Sequence, residues 1–349
     1  MTITGKSVSL ILIVCISLVL RSESAVIGTN EKQTDLDQSS ARVVHGVPVT
    51  DKNEYPFVVD LSQHEVAISS TRFCTGTLIT PEIVLTAAHC VLNEGYTSPV
   101  YATVGRIELE DKHSNNKHAQ TFRTIASMAH PDYAGIGSPN DIAIMLLNQT
   151  SDAPTVSLAE TSPEKDDVAW VVGYGIQMLG TVEQSAQPIE VLSGRLQKTA
   201  LRIQERAYCD VPGGQLKTPE GMLCTSGVKE GSSACRGDSG GGLFLQLQGE
   251  TNREPETIQV GVVSYGDSKC ASEESGVFTD VASNVEWVAK SVKKLRKVLY
   301  PEKNEAEPQT PVTSQGDDSS SETTQNSEEG KQNSMSLIPI LPSTNKSNM

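Results

Sequence analysis

Short apolar runs separated by turn residues fill the middle of the chain. Phe57 to Leu61, Thr77 to Ile79, Ile83 to Thr86, Ile142 to Leu147, Val168 to Val172 and Ile258 to Val263 are rich in β-branched residues and are bounded by Gly, Pro, Asn and Asp. Many short strands with few helical stretches predict an all-β sandwich or barrel. The period changes only near the end. Val288, Val292, Leu295 and Val298 share one helical face beside the basic run Lys290 to Lys297, which predicts a C-terminal helix with a solvated outer face.

Both ends of the chain depart from this pattern. Lys6 precedes the apolar run Val8 to Leu20, and Ser22-Glu23-Ser24 follows it. Residues 1–24 therefore read as a secretory signal peptide, too short for a comfortable membrane span. Residues 25–42 are polar and read as a propeptide, which leaves a domain over 43–300. Beyond Tyr300, Glu, Ser, Thr, Gln, Asn and Pro dominate, so 301–349 lacks the apolar surface to fold and is expected to be a disordered acidic tail. Within it, Leu337 to Leu341 is apolar but short and broken by Pro339, and reads as spacer.

Composition narrows the function classes. A length of 349 residues with 37% hydrophobic content suits one large domain plus tails, and a net charge of −15 argues against nucleic acid or an anionic membrane as partner. Of seven cysteines, Cys15 falls in the signal, leaving Cys74, Cys90, Cys209, Cys224, Cys235 and Cys270. An even set in a secreted chain reads as a disulfide framework, with about fifteen pairings open on sequence alone. No Cys-x-x-Cys pair suggests a metal, and 106–120 lacks the oxygen-ligand pattern of a calcium loop. Neither metal nor cofactor is expected. Sequons stand at Asn148-Gln149-Thr150 and Asn345-Lys346-Ser347, acceptors for glycans in a secreted protein.

Three segments carry chemistry. In Cys235-Arg236-Gly237-Asp238-Ser239-Gly240-Gly241, glycines hold a serine on a tight turn with its hydroxyl exposed and main-chain N–H groups free to catch an oxyanion. Serine is a weak nucleophile and needs a base, which His89 of Thr86-Ala87-Ala88-His89-Cys90 supplies. Asn140-Asp141-Ile142-Ala143-Ile144 offers a carboxylate to orient that base. Singly, each is an ordinary turn, core histidine or strand-entry cap; together, in the order His, Asp, Ser, they point to acyl transfer.

These blocks, with Val263-Ser264-Tyr265-Gly266, resemble the trypsin/chymotrypsin family of serine proteases from Val43 to about Lys297. The resemblance implies two six-stranded antiparallel β-barrels, with a break near Ala159 to Asp167 and the site in the cleft between them. It assigns Ser239 as nucleophile, His89 as general base and acid, Asp141 as orienter, and the Gly237 and Ser239 N–H groups as oxyanion hole. It pairs Cys74 with Cys90, Cys209 with Cys224 and Cys235 with Cys270. The first two loops of roughly 15 residues are each worth about 3 kcal/mol in the loop-entropy model. Ser40-Ala41-Arg42 before Val43-Val44-His45-Gly46 resembles an activation junction: cleavage after Arg42 frees an ammonium on Val43 that pairs with Asp238. Ser264, Tyr265 and Gly266 are expected to bind substrate backbone by strand addition. Tyr265 and Tyr174 stand where tryptophan is common in the family, and keep an aromatic wall. Ser233 falls at the floor of the specificity pocket, with Gly266 and Gly276 at its walls. A serine there demands no cation, so a preference for bulky apolar or aromatic P1 side chains is expected.

The reading is a secreted, extracellular, monomeric serine endopeptidase made as a zymogen, acting on proteins or peptides after an activating protease cuts it. The alternative is a binding or inhibitor protein on the same scaffold.

Overall fold

Short apolar runs must bury their side chains and pair their backbones, and closure of the sheets leaves few free edges. The computed structural model describes residues 46–65, 71–92, 100–108, 119–181, 188–210, 217–247, 255–266, 276–299 and 338–339, all within the unit Ser40–Met349. The expected signal peptide, Arg42, Val43, Cys270, Asn345 and nearly all of the acidic tail lie outside the described residues.

Six strands form the first barrel: Val58–Ser62 (β1), Arg72–Thr80 (β2), Ile83–Thr86 (β3), Tyr101–Val104 (β4), Gln120–Ala129 (β5) and Ala143–Leu147 (β6). They run in the order β5-β4-β1-β2-β3-β6, and β5 pairs with β6 to close the ring. The second barrel comprises Val168–Gly173 (β7), Gln197–Gln204 (β8), Met222–Gly227 (β9), Gly242–Leu247 (β10), Glu256–Tyr265 (β11) and Val277–Asp280 (β12). Its order is β8-β9-β12-β11-β10-β7, closed by β7 on β8, and every ladder in both rings is antiparallel. The expected two-barrel, all-β architecture is the one found.

One apolar core fills the second barrel, built on Val171, Leu201, Ile203, Leu243, Val260 and Phe278. The larger core fills the first barrel and continues into the second through Val172, Tyr174, Phe244 and Val262. Phe244 of β10 packs on Phe57 and Tyr55, with ring centroids 5.1 and 5.7 Å apart, so the seam between barrels is sealed by aromatic contact. The chain crosses the seam earlier than 159–167: Val156 packs in the first core and Ala159 in the second.

The C-terminal helix, Val285–Leu299 (α2), buries Val288, Val292 and Leu295. Val298 is 49% exposed, contrary to the expected face, and Leu299 packs on the core instead. Steps of four, three and four residues keep a side chain on one stripe, whereas position 298 is rotated off it. Arg296 ties the helix to the first barrel through Glu82 at 2.5 Å. Ile338–Pro339 pairs antiparallel with Ala126–Ser127 of β5, where spacer was expected; a two-residue ladder needs only main-chain groups, which composition does not reveal.

The helix phase is testable. Leu295→Ala should cost about 2–5 kcal/mol in urea unfolding and Val298→Ala no more than about 0.5 kcal/mol. Equal costs would contradict the assigned face.

Candidate active site

Strand register brings His89 and Asp141 together. Thr86 at the end of β3 pairs with Ala143 at the start of β6, so the chain leaving one strand runs beside the chain entering the other. The one-turn helix Ala88–Leu92 (α1) carries His89 away from that edge. Asn140 sits in the left-handed region at φ 63°, a conformation asparagine tolerates better than most residues, and turns Asp141 inward.

Asp141 is buried and accepts three hydrogen bonds: from the His89 main-chain N–H at 2.9 Å, from His89 Nδ1 at 2.7 Å and from Ser264 Oγ at 2.6 Å. Thr279 Oγ1 donates to the Asp141 carbonyl at 2.8 Å. Three donors thus meet one buried carboxylate, as buried polar groups require. The Nδ1 contact fixes the ring, and among the described residues no hydrogen bond engages Nε2. The His89 side chain is 20% exposed, so its ring is reached by solvent.

The serine turn is fastened to the first barrel by β2. Thr75 N–H donates to the Ser239 carbonyl at 2.8 Å, and Thr75 Oγ1 donates to the Gly237 carbonyl at 2.9 Å. Cys90 Sγ, one residue past His89, lies 3.6 Å from the Ser239 carbonyl oxygen. Gly240 has φ 77°, and a Cβ on it would lie 2.1 Å from Thr86 Oγ1 and 2.5 Å from the Thr75 carbonyl. Only glycine lets the turn approach so closely. Ser239 is half-buried, and among the described residues no hydrogen bond occupies its hydroxyl, its N–H or the Gly237 N–H. Among the described residues no hydrogen bond joins Ser239 to His89.

Asp238 is fully buried next to the serine. Gly175 N–H donates to its Oδ1 at 2.8 Å and Cys235 N–H to its Oδ2 at 2.9 Å. A Cβ on Gly175 would meet that carboxylate at 2.3 Å, so the Gly173-Tyr174-Gly175 segment forms its cradle. Burial pushes the Asp238 carboxyl up to about 6, against the pull of the Cys235 and Gly175 N–H groups and of Arg72.

Of the remaining expected residues, Ser233 is buried, Tyr265 half-buried and Gly266 exposed, and the Gly276 carbonyl accepts from Thr225. Cys74–Cys90 and Cys209–Cys224 form the implied disulfides, and Cys235 is also disulfide-bonded. Cys74, His89 and Cys90 cluster closely, but the shared disulfide removes both thiolates a metal would need. Asn148 is exposed. The Ser264 bond to Asp141 and the Arg72 contacts described below escape a reading of spacing, since they join residues 123 and 102 positions apart.

The Asp238 environment predicts a pH signature. Its folded-state value of about 6 lies above the ordinary 3.8, so the folded chain holds this proton more tightly than the unfolded chain. That contribution is fully present below the ordinary value and is lost as pH rises through the folded one. Chemical denaturation of the uncleaved chain should show a decline in stability across this window that Asp238→Asn lacks; identical slopes would contradict the assignment.

Residues 43–288 match the Trypsin family. The chain is 30% identical over 257 residues to a trypsin-like protease of Streptomyces glaucescens, covering 74% of this chain and 85% of that protein. It is 28% identical over 269 residues to coagulation factor XII of Cavia porcellus, covering 72% of this chain but 41% of that longer protein. Among solved structures it is similar in fold to neuropsin, a serine protease expressed in mouse brain, with a TM-score of 0.54, 24% identity, and coverage of 71% of this chain and 98% of that one. The chain belongs to the trypsin family of serine proteases and is a serine-type endopeptidase.

Proposed function

We propose that the chain is a secreted zymogen whose domain, over 43–300, cuts proteins with Ser239 as nucleophile, His89 as proton carrier and Asp141 as orienter. The observation that carries this is the 2.7 Å contact between His89 Nδ1 and Asp141 Oδ2, in the same barrel whose β2 binds the Ser239 turn through Thr75. Ser239 Oγ attacks the scissile carbonyl while His89 Nε2 takes its proton. The imidazolium that forms is balanced by Asp141, and His89 then hands the proton to the leaving amine. The Gly237 and Ser239 N–H groups receive the oxyanion, a contribution of about 3 kcal/mol per donor in comparable sites.

Activation follows from Asp238. A buried carboxylate without a cationic partner is costly, and an ammonium released on Val43 by a protease cutting after Arg42 answers that need. Disulfides support an oxidising compartment, and among the described residues no helix is long and apolar enough to cross a membrane. Ser233, buried and uncharged, supports the preference for bulky apolar or aromatic P1 residues, with Ser264 to Gly266 pairing with substrate backbone and Gly266 and Gly276 leaving room at the walls. Exposure of Asn148 supports a glycan there.

Two measurements test this. A fluorophosphonate should label the Arg42-cleaved protein, and Ser239→Ala should abolish labelling and lower kcat on the order of 10⁴-fold or more. No labelling of cleaved, folded protein would overturn the triad in favour of a binding scaffold. Profiling with a peptide library should show cleavage behind Phe, Tyr or Leu; dominant cleavage behind Arg or Lys would overturn the pocket assignment and spare the catalytic one.

A further inference from the structure

Arg72 is the most committed cation in the described fold. It lies in β2, three residues from the Thr75 that holds the serine turn, and its side chain is 4% exposed. Its Nε donates to Asp60 Oδ1 at 3.0 Å, one terminal nitrogen to the Ser193 carbonyl at 3.0 Å and the other to the Tyr174 carbonyl at 2.8 Å. The guanidinium also lies over the Tyr174 ring, 4.7 Å from its centroid. Asp60 itself is shared with Arg106 at 3.4 Å, and the Tyr174 hydroxyl donates to the Arg106 carbonyl.

The partners matter more than the burial. Asp60 belongs to the first barrel, whereas the Tyr174 and Ser193 carbonyls belong to the second. The residues just after Tyr174 grip the serine loop at two points. Gly175 N–H donates to Asp238 Oδ1 at 2.8 Å, and Ile176 N–H donates to the Arg236 carbonyl at 2.8 Å. Ser193 N–H in turn donates to the Gly175 carbonyl at 3.3 Å. A single planar fork thus fixes the segment from which the loop bearing Gly237 and Ser239 is suspended.

We propose that Arg72 is a positioning residue for the reaction: by clamping the Tyr174 and Ser193 carbonyls it keeps Gly175 and Ile176 on the Arg236–Asp238 loop, and so holds the oxyanion-binding turn in place. It touches neither substrate nor the reacting atoms. A lysine retains the charge beside Asp60, but its point-like ammonium lacks the planar fork that meets three acceptors at once. Misplacing the oxyanion donors weakens binding of the transition state more than of the substrate.

The inference rests on the Ser239 reading, so wild-type protein and Ser239→Ala are assayed beside the Arg72 variants, all cleaved after Arg42 and all shown to be folded by near-ultraviolet circular dichroism. Arg72→Lys should lower kcat about tenfold or more while KM stays within about threefold, with phosphonylation of Ser239 slowed in parallel. Arg72→Met should fall further; if it does not fold, Arg72→Lys decides alone. A lysine variant with lowered thermal stability but wild-type kcat makes Arg72 a core prop and overturns the proposal. A wild type without turnover overturns the function itself, so the two failures are distinct.

Discussion

Two carboxylates, Asp141 and Asp238, are buried at the junction of the barrels, and an ionised carboxylate taken out of water is costly unless donors or cations meet it. Neither barrel meets that requirement alone. Asp141 draws two donors from His89 on the first barrel and a third from Ser264 on the second. Asp238 takes two N–H groups from the second barrel and lies in the field of Arg72 from the first. The two carboxylates collect these partners only when both halves are closed on each other.

Apolar packing makes that closure rigid. Phe57, Tyr55 and Phe244 seal the seam, and the disulfide Cys74–Cys90 ties the helical turn bearing His89 to the strand bearing Thr75. Thr75 then reaches across to the serine turn. Strand, disulfide and serine turn converge on a few ångströms of β2, so the histidine and the serine are referred to one rigid element rather than to two loops. Groups held on one rigid element lose little freedom on meeting a reacting partner, which is the advantage such positioning offers.

Local pattern revealed some of this and long-range contact the rest. The strands at Ile83–Thr86 and Ala143–Leu147 were legible because all their residues are buried and apolar apart from Thr86. Gln197–Gln204 alternates inside and out along its whole length, yet its inward positions are Gln197, Thr199, Leu201 and Ile203, so buried polar residues blur its hydropathy period. The helix was legible, but its last turn was misphased because Val298 is apolar and exposed while Leu299 does the packing. In the candidate site, motif spacing drew attention to His89, Asp141, Asp238 and Ser239, and the fold sets His89 against Asp141. Ser264 as a donor to Asp141, and Arg72 as a clamp between barrels, depend on closure of the whole fold and carry no local signature.

The central claim is that His89, oriented by Asp141, shares one proton path with Ser239. Proton and nitrogen magnetic resonance of the His89 ring in the Arg42-cleaved protein tests it most directly. The account predicts a neutral ring protonated at Nδ1, with a strongly downfield Nδ1–H signal that shifts when Ser239 alone is phosphonylated. A ring protonated at Nε2, or one indifferent to modification of Ser239, would contradict it.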